Sequence, residues 1–253
     1  MKKEFLSRSS INEKLWKKLK KLEKLFESLP FVEGIFITGS LARFEAKENS
    51  DIDFLVITKK RRIFTTRFFL DLFLRIFKEK RTPQNFSQKI CLNHFLEEEN
   101  LEISQKSLFS AYVYFFSRPF LERKNIYKKF KQKNLWAQSF IPFWKKEMET
   151  PFKIKKKNLF AKFLEKILGG KIGDYFEKIQ EVIQKKRAEI FKKKFKKGVI
   201  YLSSKEIILH PDSKEKEIEF LKMIEYKNYC PSSSEEEQAL RKRQVVGSNP
   251  TSG

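Results

Sequence analysis

The sequence predicts an α/β fold of the α+β type: a small mixed sheet with flanking helices, followed by a mainly helical C-terminal region. Three observations carry this expectation. Two apolar runs, Ile35-Phe36-Ile37 and Ile52 to Ile57, lie close together at strand spacing on either side of a glycine-serine turn. A stripe of apolar residues at helical spacing precedes them, and from Leu108 onward the pattern is again mainly helical. The 253 residues are enough to bury a substantial core, read as one α/β unit with a helical extension.

The elements follow in order. Within residues 1–30, Ser10-Ile11-Asn12-Glu13 has the capping-box form, and Ile11, Leu15, Leu19, Leu22, Phe26 and Leu29 recur on one helical face. One amphipathic helix packing on the core is expected there, ended by Pro30. Its lysines, Lys17, Lys18, Lys20, Lys21 and Lys24, read as a solvated face. Residues 31–107 form the core segment. The Ile35 strand runs through Thr38-Gly39-Ser40 into a short helix at Leu41-Ala42-Arg43, and a polar loop, Lys47 to Ser50, leads to the strand from Asp51 to Ile57. The basic run Lys59 to Arg62 then precedes a Phe-rich stretch, Ile63 to Phe77. Arg67, Asp71 and Arg75 interrupt that stretch and it falls short of the ~20 residues a membrane span needs, so it reads as a helix buried against the sheet. After a loop at Pro83, strands are expected at Lys89 to Phe95 and, briefly, at Leu101-Glu102-Ile103.

Residues 108–229 are expected to be mainly helical. Leu108 to Phe116 and Tyr127 to Phe140 have helical spacing, with Pro119 breaking the run between them. A basic helical segment, Lys153 to Ile167, is separated by Gly169-Gly170 from a long charged helix, Asp174 to Lys197. Two short strands, Val199 to Leu202 and Lys205 to Leu209, precede a short helix carrying Ile218, Leu221 and Ile224. Residues 230–253 are expected to be a disordered tail. From Pro231 on there is no Phe, no Ile and a single Lys, Lys242, and Val246 to Thr251 can be encoded by DNA resembling the T arm of a transfer-RNA gene. Read-through of such a gene and an ordinary polar tail are both consistent with that composition.

The net charge of +23 points to phosphate-rich partners. Lys, Phe, Ile and Asn all have A/T-rich codons, however, and nucleic-acid binding does not explain 27 Phe, so a nucleic-acid partner takes second place to genomic bias. Cys91 and Cys230 each stand alone, which implies neither a disulfide framework nor a Cys-x-x-Cys metal site and fits a reducing cytoplasm. The start, MKKEFLSRSS, lacks the apolar stretch of a signal peptide, and no membrane association is expected.

The chemistry concentrates between Gly39 and Asp53. A glycine at a strand-to-helix junction lets the backbone approach a ligand, and the first helical N–H groups with the Ser40 hydroxyl form a donor cup for phosphate oxygens. Strand alternation puts Asp51 and Asp53 on one face, roughly 7 Å apart along the strand. Two such carboxylates are hard oxygen ligands suited to Mg²⁺ carrying the phosphates of a nucleotide.

Gly39-Ser40, ten intervening residues, and Asp51-Ile52-Asp53 entering an apolar strand resemble the signature of the DNA polymerase beta-like nucleotidyltransferase superfamily, above all its small prokaryotic members with GSxAR…SDID. The stretches Lys89 to Leu96 and Ser107 to Trp136 are also similar to the downstream part of certain small bacterial and archaeal nucleotidyltransferase-domain proteins, so the resemblance covers roughly half the chain or more. The family usually has a glycine soon after the arginine; here Phe44 follows Arg43. The resemblance implies a small mixed nucleotidyltransferase sheet. It also implies transfer of a nucleoside monophosphate, AMP from ATP, to an acceptor hydroxyl on a protein, an RNA or a small molecule. Asp51 and Asp53 would be catalytic and bind Mg²⁺, Gly39 and Ser40 would bind the nucleotide phosphates, and Arg43 would either support those phosphates or brace the turn. Family members usually add a third carboxylate from a neighbouring strand, and Glu102, flanked by Leu101 and Ile103, is the choice here. Asn93 offers only a weak cation ligand that cannot act as a base, and His94 reads as structural. The alternative is a catalytically inactive nucleotide- or RNA-binding protein, or an antitoxin-like interaction protein, that keeps the fold.

Overall fold

Strand β1 (Val32–Thr38) folds back on β2 (Ile52–Thr58) as an antiparallel pair that runs in register from Thr38 opposite Asp53 to Val32 opposite Thr58, with one slip between Val32 and Gly34. Both strands are buried almost throughout because helices cover both faces of the sheet, which is why they read as nearly continuous apolar runs. The computed structural model describes residues 10–82, 84–141, 149–194 and 199–210, all within one compact unit. The expected helix around Ile218 to Ile224, the tail from residue 230 and the Pro83 turn lie outside the described residues.

Four further strands complete a six-stranded mixed sheet: β3 (Ile90–Glu97), β4 (Arg118–Glu122), β5 (Val199–Leu202) and β6 (Glu206–His210), in the spatial order β4-β1-β2-β3-β6-β5. Among the six described strands, β2 and β3 run parallel while the other pairs are antiparallel, and the helix between β2 and β3 makes that crossover. The two short strands read near the end of the chain form a hairpin, and its second strand adds to the outer edge of β3.

Alternation along β1 sends Ile35 and Ile37 to one side and Phe36 to the other. The first side carries α1 (Ser10–Lys21), α2 (Glu23–Glu27) and α4 (Ile63–Ile76), through Leu15, Leu19, Phe26, Phe64 and Leu70. The second carries α5 (Leu108–Phe115) and α6 (Ile126–Lys133), whose Tyr114, Tyr127 and Phe130 pack on Phe36 and Leu55. Between β1 and β2 lies a single helical turn, α3 (Gly39–Ala42). A 3₁₀ turn, Leu135–Ser139, follows α6, and α7 (Leu159–Ile167) and α8 (Lys171–Lys194) precede the last hairpin.

Helix α8 holds α4 in place. The Glu177 carboxylate accepts the first free amides of α4, Phe64 N at 2.9 Å and Thr65 N at 2.7 Å, and burial pushes its carboxyl above the usual range. Beside it, Arg62 pairs with Asp174 at 2.7 Å and donates to the carbonyls of Leu168 and Gly169.

Three expectations are corrected. The first helix is broken at Leu22 into α1 and α2. Pro119 is more than a break between helices α5 and α6: it lies in a strand that was not expected, β4, at the edge of the sheet, where a residue without an N–H is tolerated. Leu101-Glu102-Ile103 is not a strand: Ile103 N donates to Asn134 Oδ1 at 2.9 Å and Leu101 O accepts from Asn134 Nδ2 at 2.7 Å, so one buried asparagine takes the bonds a neighbouring strand would have made. Leu101 and Ile103 are buried, which accounts for the alternating pattern without any pairing. Among the described residues no helix is long and apolar enough to cross a membrane.

Candidate active site

Three strand ends meet at one corner of the sheet. Because β1 and β2 are antiparallel, the end of β1 lies beside the start of β2; because β3 runs parallel to β2, its start lies there too. Thr38 therefore faces Asp53, and Asp53 faces Cys91. Gly39 leaves β1 at φ +67°, in the left-handed region, and a Cβ at this position would collide with the Asp53 carboxylate. Ser40, half-buried, follows it on the single turn of α3, and the Ser40 carbonyl accepts from Arg43 N and Glu45 N at 3.2 and 2.9 Å.

The loop beyond this turn is held from α1. Buried Asn12 donates to Phe44 O at 2.7 Å and accepts from Ala46 N at 3.2 Å. Phe44, where the family pattern favours glycine, has φ +60°. Its ring lies 6.5 Å from that of Trp16 and under the Arg118 guanidinium at 4.5 Å, so side-chain packing offsets an unfavourable backbone conformation. Arg43 is tied down at the same turn: its Nε donates to Glu45 Oε2 at 2.8 Å and its guanidinium lies 5.2 Å from the Tyr112 ring centre.

Asp51, Asp53 and Cys91 each bring one potential ligand atom within 4.8 Å of the others. The Cys91 thiol donates to Asn93 Oδ1 at 2.7 Å, and the Asn93 amide donates to Asp53 Oδ1, so β3 orients one aspartate through a short relay of side chains. Burial, reinforced by Asp53 and then Asp51, pushes the thiol up to about 12, so it keeps its proton. On the other side, Arg81 Nε lies 2.8 Å from Asp51 Oδ2. The donor chemistry suits Mg²⁺: two carboxylates supply hard oxygens, and the missing side chain at Gly39 lets the Asp53 carboxylate sit against the turn. Sulfur is a poor ligand for Mg²⁺, which leaves Cys91 as a neighbour.

The structure thus brings Gly39, Ser40, Asp51 and Asp53 together, with Arg43 at the end of the turn. Glu102 stands outside the cluster, half-exposed and paired with Lys106 at 2.6 Å. His94 is buried between Tyr114 OH at 2.5 Å and Glu206 Oε1 at 2.9 Å, tying β3 to α5 and β6. Cys91 and Arg81 are site residues that sequence reasoning missed. The strand pattern of β3 located Cys91 without its register against Asp53, and no local signal marks Arg81, which precedes β3 by a loop.

The family model described as "Polymerase beta, Nucleotidyltransferase" matches residues 20–118, a stretch that contains the glycine-serine turn, both aspartates and all of β3. No curated protein and no solved structure matches the chain. The match supports the DNA polymerase beta-like nucleotidyltransferase superfamily for residues 20–118.

Proposed function

We propose that the protein is an Mg²⁺-dependent nucleotidyltransferase that moves a nucleoside monophosphate, AMP from ATP, onto an acceptor hydroxyl. The observation that carries this reading is the meeting of the side-chain-free Gly39 turn with the carboxylates of Asp51 and Asp53 at one corner. Gly39 and Ser40 bind the phosphates through backbone amides and the hydroxyl. Asp51 and Asp53 hold Mg²⁺, which when bound supplies charge neutralisation at the phosphate oxygens. The acceptor oxygen bonds to the α-phosphorus, the bond to the pyrophosphate oxygen breaks, and the acceptor's proton passes to a carboxylate. Arg43, engaged by Glu45 and Tyr112, fits the role of bracing the turn. Glu102 serves as a third acid only if it leaves Lys106.

One observation favours a second reading, a nucleotide-binding module without turnover: beside Asp53, β3 presents Cys91 and Asn93 and no carboxylate. Incubation of the purified protein with each labelled NTP, Mg²⁺ and total cellular RNA or protein separates the two. A labelled macromolecule or small product supports transfer. Mg-NTP binding that Asp51→Asn abolishes, with no product, supports the binding module. Neither binding nor product removes both readings.

A further inference from the structure

The ion pair between Arg81 and Asp51 joins the loop before β3 to the residue that precedes β2. Arg81 is fixed by its backbone: its N–H donates to Ile90 O at 3.0 Å, Ile90 N donates to Glu79 O at 2.8 Å, and Ile90 is the register partner of Ile52, the residue between the two aspartates. Its side chain is held far less firmly. The Nε lies 2.8 Å from Asp51 Oδ2, yet among the described residues this buried Nε has no aligned hydrogen-bond acceptor. Neighbouring cations are committed elsewhere. Lys80 pairs with Asp71 at 2.7 Å, Lys89 donates to Lys78 O at 2.6 Å, and Arg43 is taken by Glu45. Arg81, among the described residues, is a cation whose counter-ion is a carboxylate that a metal would claim.

We propose that Arg81 is a phosphate-binding residue of this site, parked on Asp51 until a divalent metal takes that carboxylate and then turned onto the polyphosphate that arrives with the metal. The inference rests on the nucleotidyltransferase reading above. Charge supplies the reason for the exchange. In the ion pair Asp51 and Arg81 balance one another. A bound Mg²⁺ would add positive charge at Asp51 and oppose the guanidinium there, while the phosphates offer the always-charged, fork-shaped side chain paired acceptor oxygens that match its geometry. The anchored backbone keeps the side chain within reach of both partners.

The test measures two affinities on the full-length chain: Mn²⁺ alone, by electron paramagnetic resonance, and the Mg²⁺ complexes of α,β-methylene-ATP and of inorganic tripolyphosphate, by calorimetry. Arg81→Gln is expected to bind Mn²⁺ more tightly, because its competitor for Asp51 is gone, and to bind both polyphosphate complexes about ten-fold more weakly. Arg81→Lys keeps the charge but loses the fork, and is expected to bind Mn²⁺ as wild type does and the polyphosphates with reduced affinity; it carries the test if Arg81→Gln fails to fold. Opposite shifts in the two affinities are the signature. Both tighter would make Arg81 a mere competitor, both weaker a structural prop, and both unchanged a bystander; each overturns the proposal. If wild type binds Mn²⁺ but neither polyphosphate, the nucleotidyltransferase reading fails and this one with it. Intact wild-type binding with unshifted variants counts against Arg81 alone.

Discussion

Gly39 and Asp53 are fitted to one another: the turn after β1 adopts a left-handed conformation at φ +67°, and the Asp53 carboxylate occupies the space a side chain at Gly39 would need. Gly39→Ala therefore meets two penalties, about 1–2 kcal/mol for the backbone conformation and a collision that displaces the Asp53 carboxylate. The expected outcome is a modest fall in melting temperature with a much larger loss of Mg-NTP binding. Unchanged binding would show that Asp53 need not sit where this turn places it.

Asp51→Asn and Asp53→Asn keep the size of the side chain and remove its charge. Each is expected to lower transfer by about 100-fold or more, the scale of losing one pre-placed charged group at a reacting centre, while costing less than about 1 kcal/mol of stability. Steady-state assays beside urea denaturation check both halves. Full turnover in either variant would remove the metal role assigned to that residue.

The missing acid beside Asp53 can be supplied. Cys91→Asp adds a hard oxygen donor in register with Asp53 and is expected to tighten Mg²⁺ on the order of ten-fold, since ligand charge sets affinity at oxygen sites. Glu102→Gln is expected to match Glu98→Gln, because Glu102 is half-exposed and paired with Lys106. Turnover that falls far more for Glu102→Gln would instead give Glu102 the acid's role.

The Cys91 thiol provides a pH test. Its folded value is raised to about 12, above that of an exposed thiol, so it is expected to resist iodoacetamide at pH 8 in peptide mapping. Above the unfolded value the unfolded chain loses this proton while the folded one retains it. This group's contribution to stability is therefore present at neutral pH and declines from about pH 9 to about pH 12. Rapid alkylation in the native protein at pH 8 would place Cys91 outside the corner described here.

Much of the candidate corner was legible because it is local. Gly39, Ser40, Asp51 and Asp53 sit at the ends of two consecutive strands, where alternation and turn chemistry decide geometry within a few residues. What was not legible depends on distant partners. Cys91 faces Asp53 only through the parallel register of β2 and β3, which slips between Phe54 and Leu55. Arg81 reaches Asp51 because a loop is bonded to Ile90. Leu101-Glu102-Ile103 had the alternation of a strand, yet its bonds go to Asn134. Pro119 carried the signal of a break, and only its place at the sheet edge makes it part of β4. Fold class survived these errors because the central strands and long helices depend on periodicity rather than on any one partner.

The hairpin on the edge of β3 has a consequence for how the chain acquires its fold during synthesis. His94 and Glu206, bonded across β3 and β6, are 112 residues apart in sequence. A ribosome that has released the glycine-serine turn, both aspartates and β3 has still to make the strand that covers β3, and until then a row of unpaired backbone groups lies open to other chains. Closing so long a loop is slow relative to forming the β1–β2 hairpin. A recombinant fragment that stops at residue 118, the limit of the family match, would carry all four residues of the corner yet lack both outer neighbours of its sheet. Such a fragment is expected to aggregate rather than bind nucleotide.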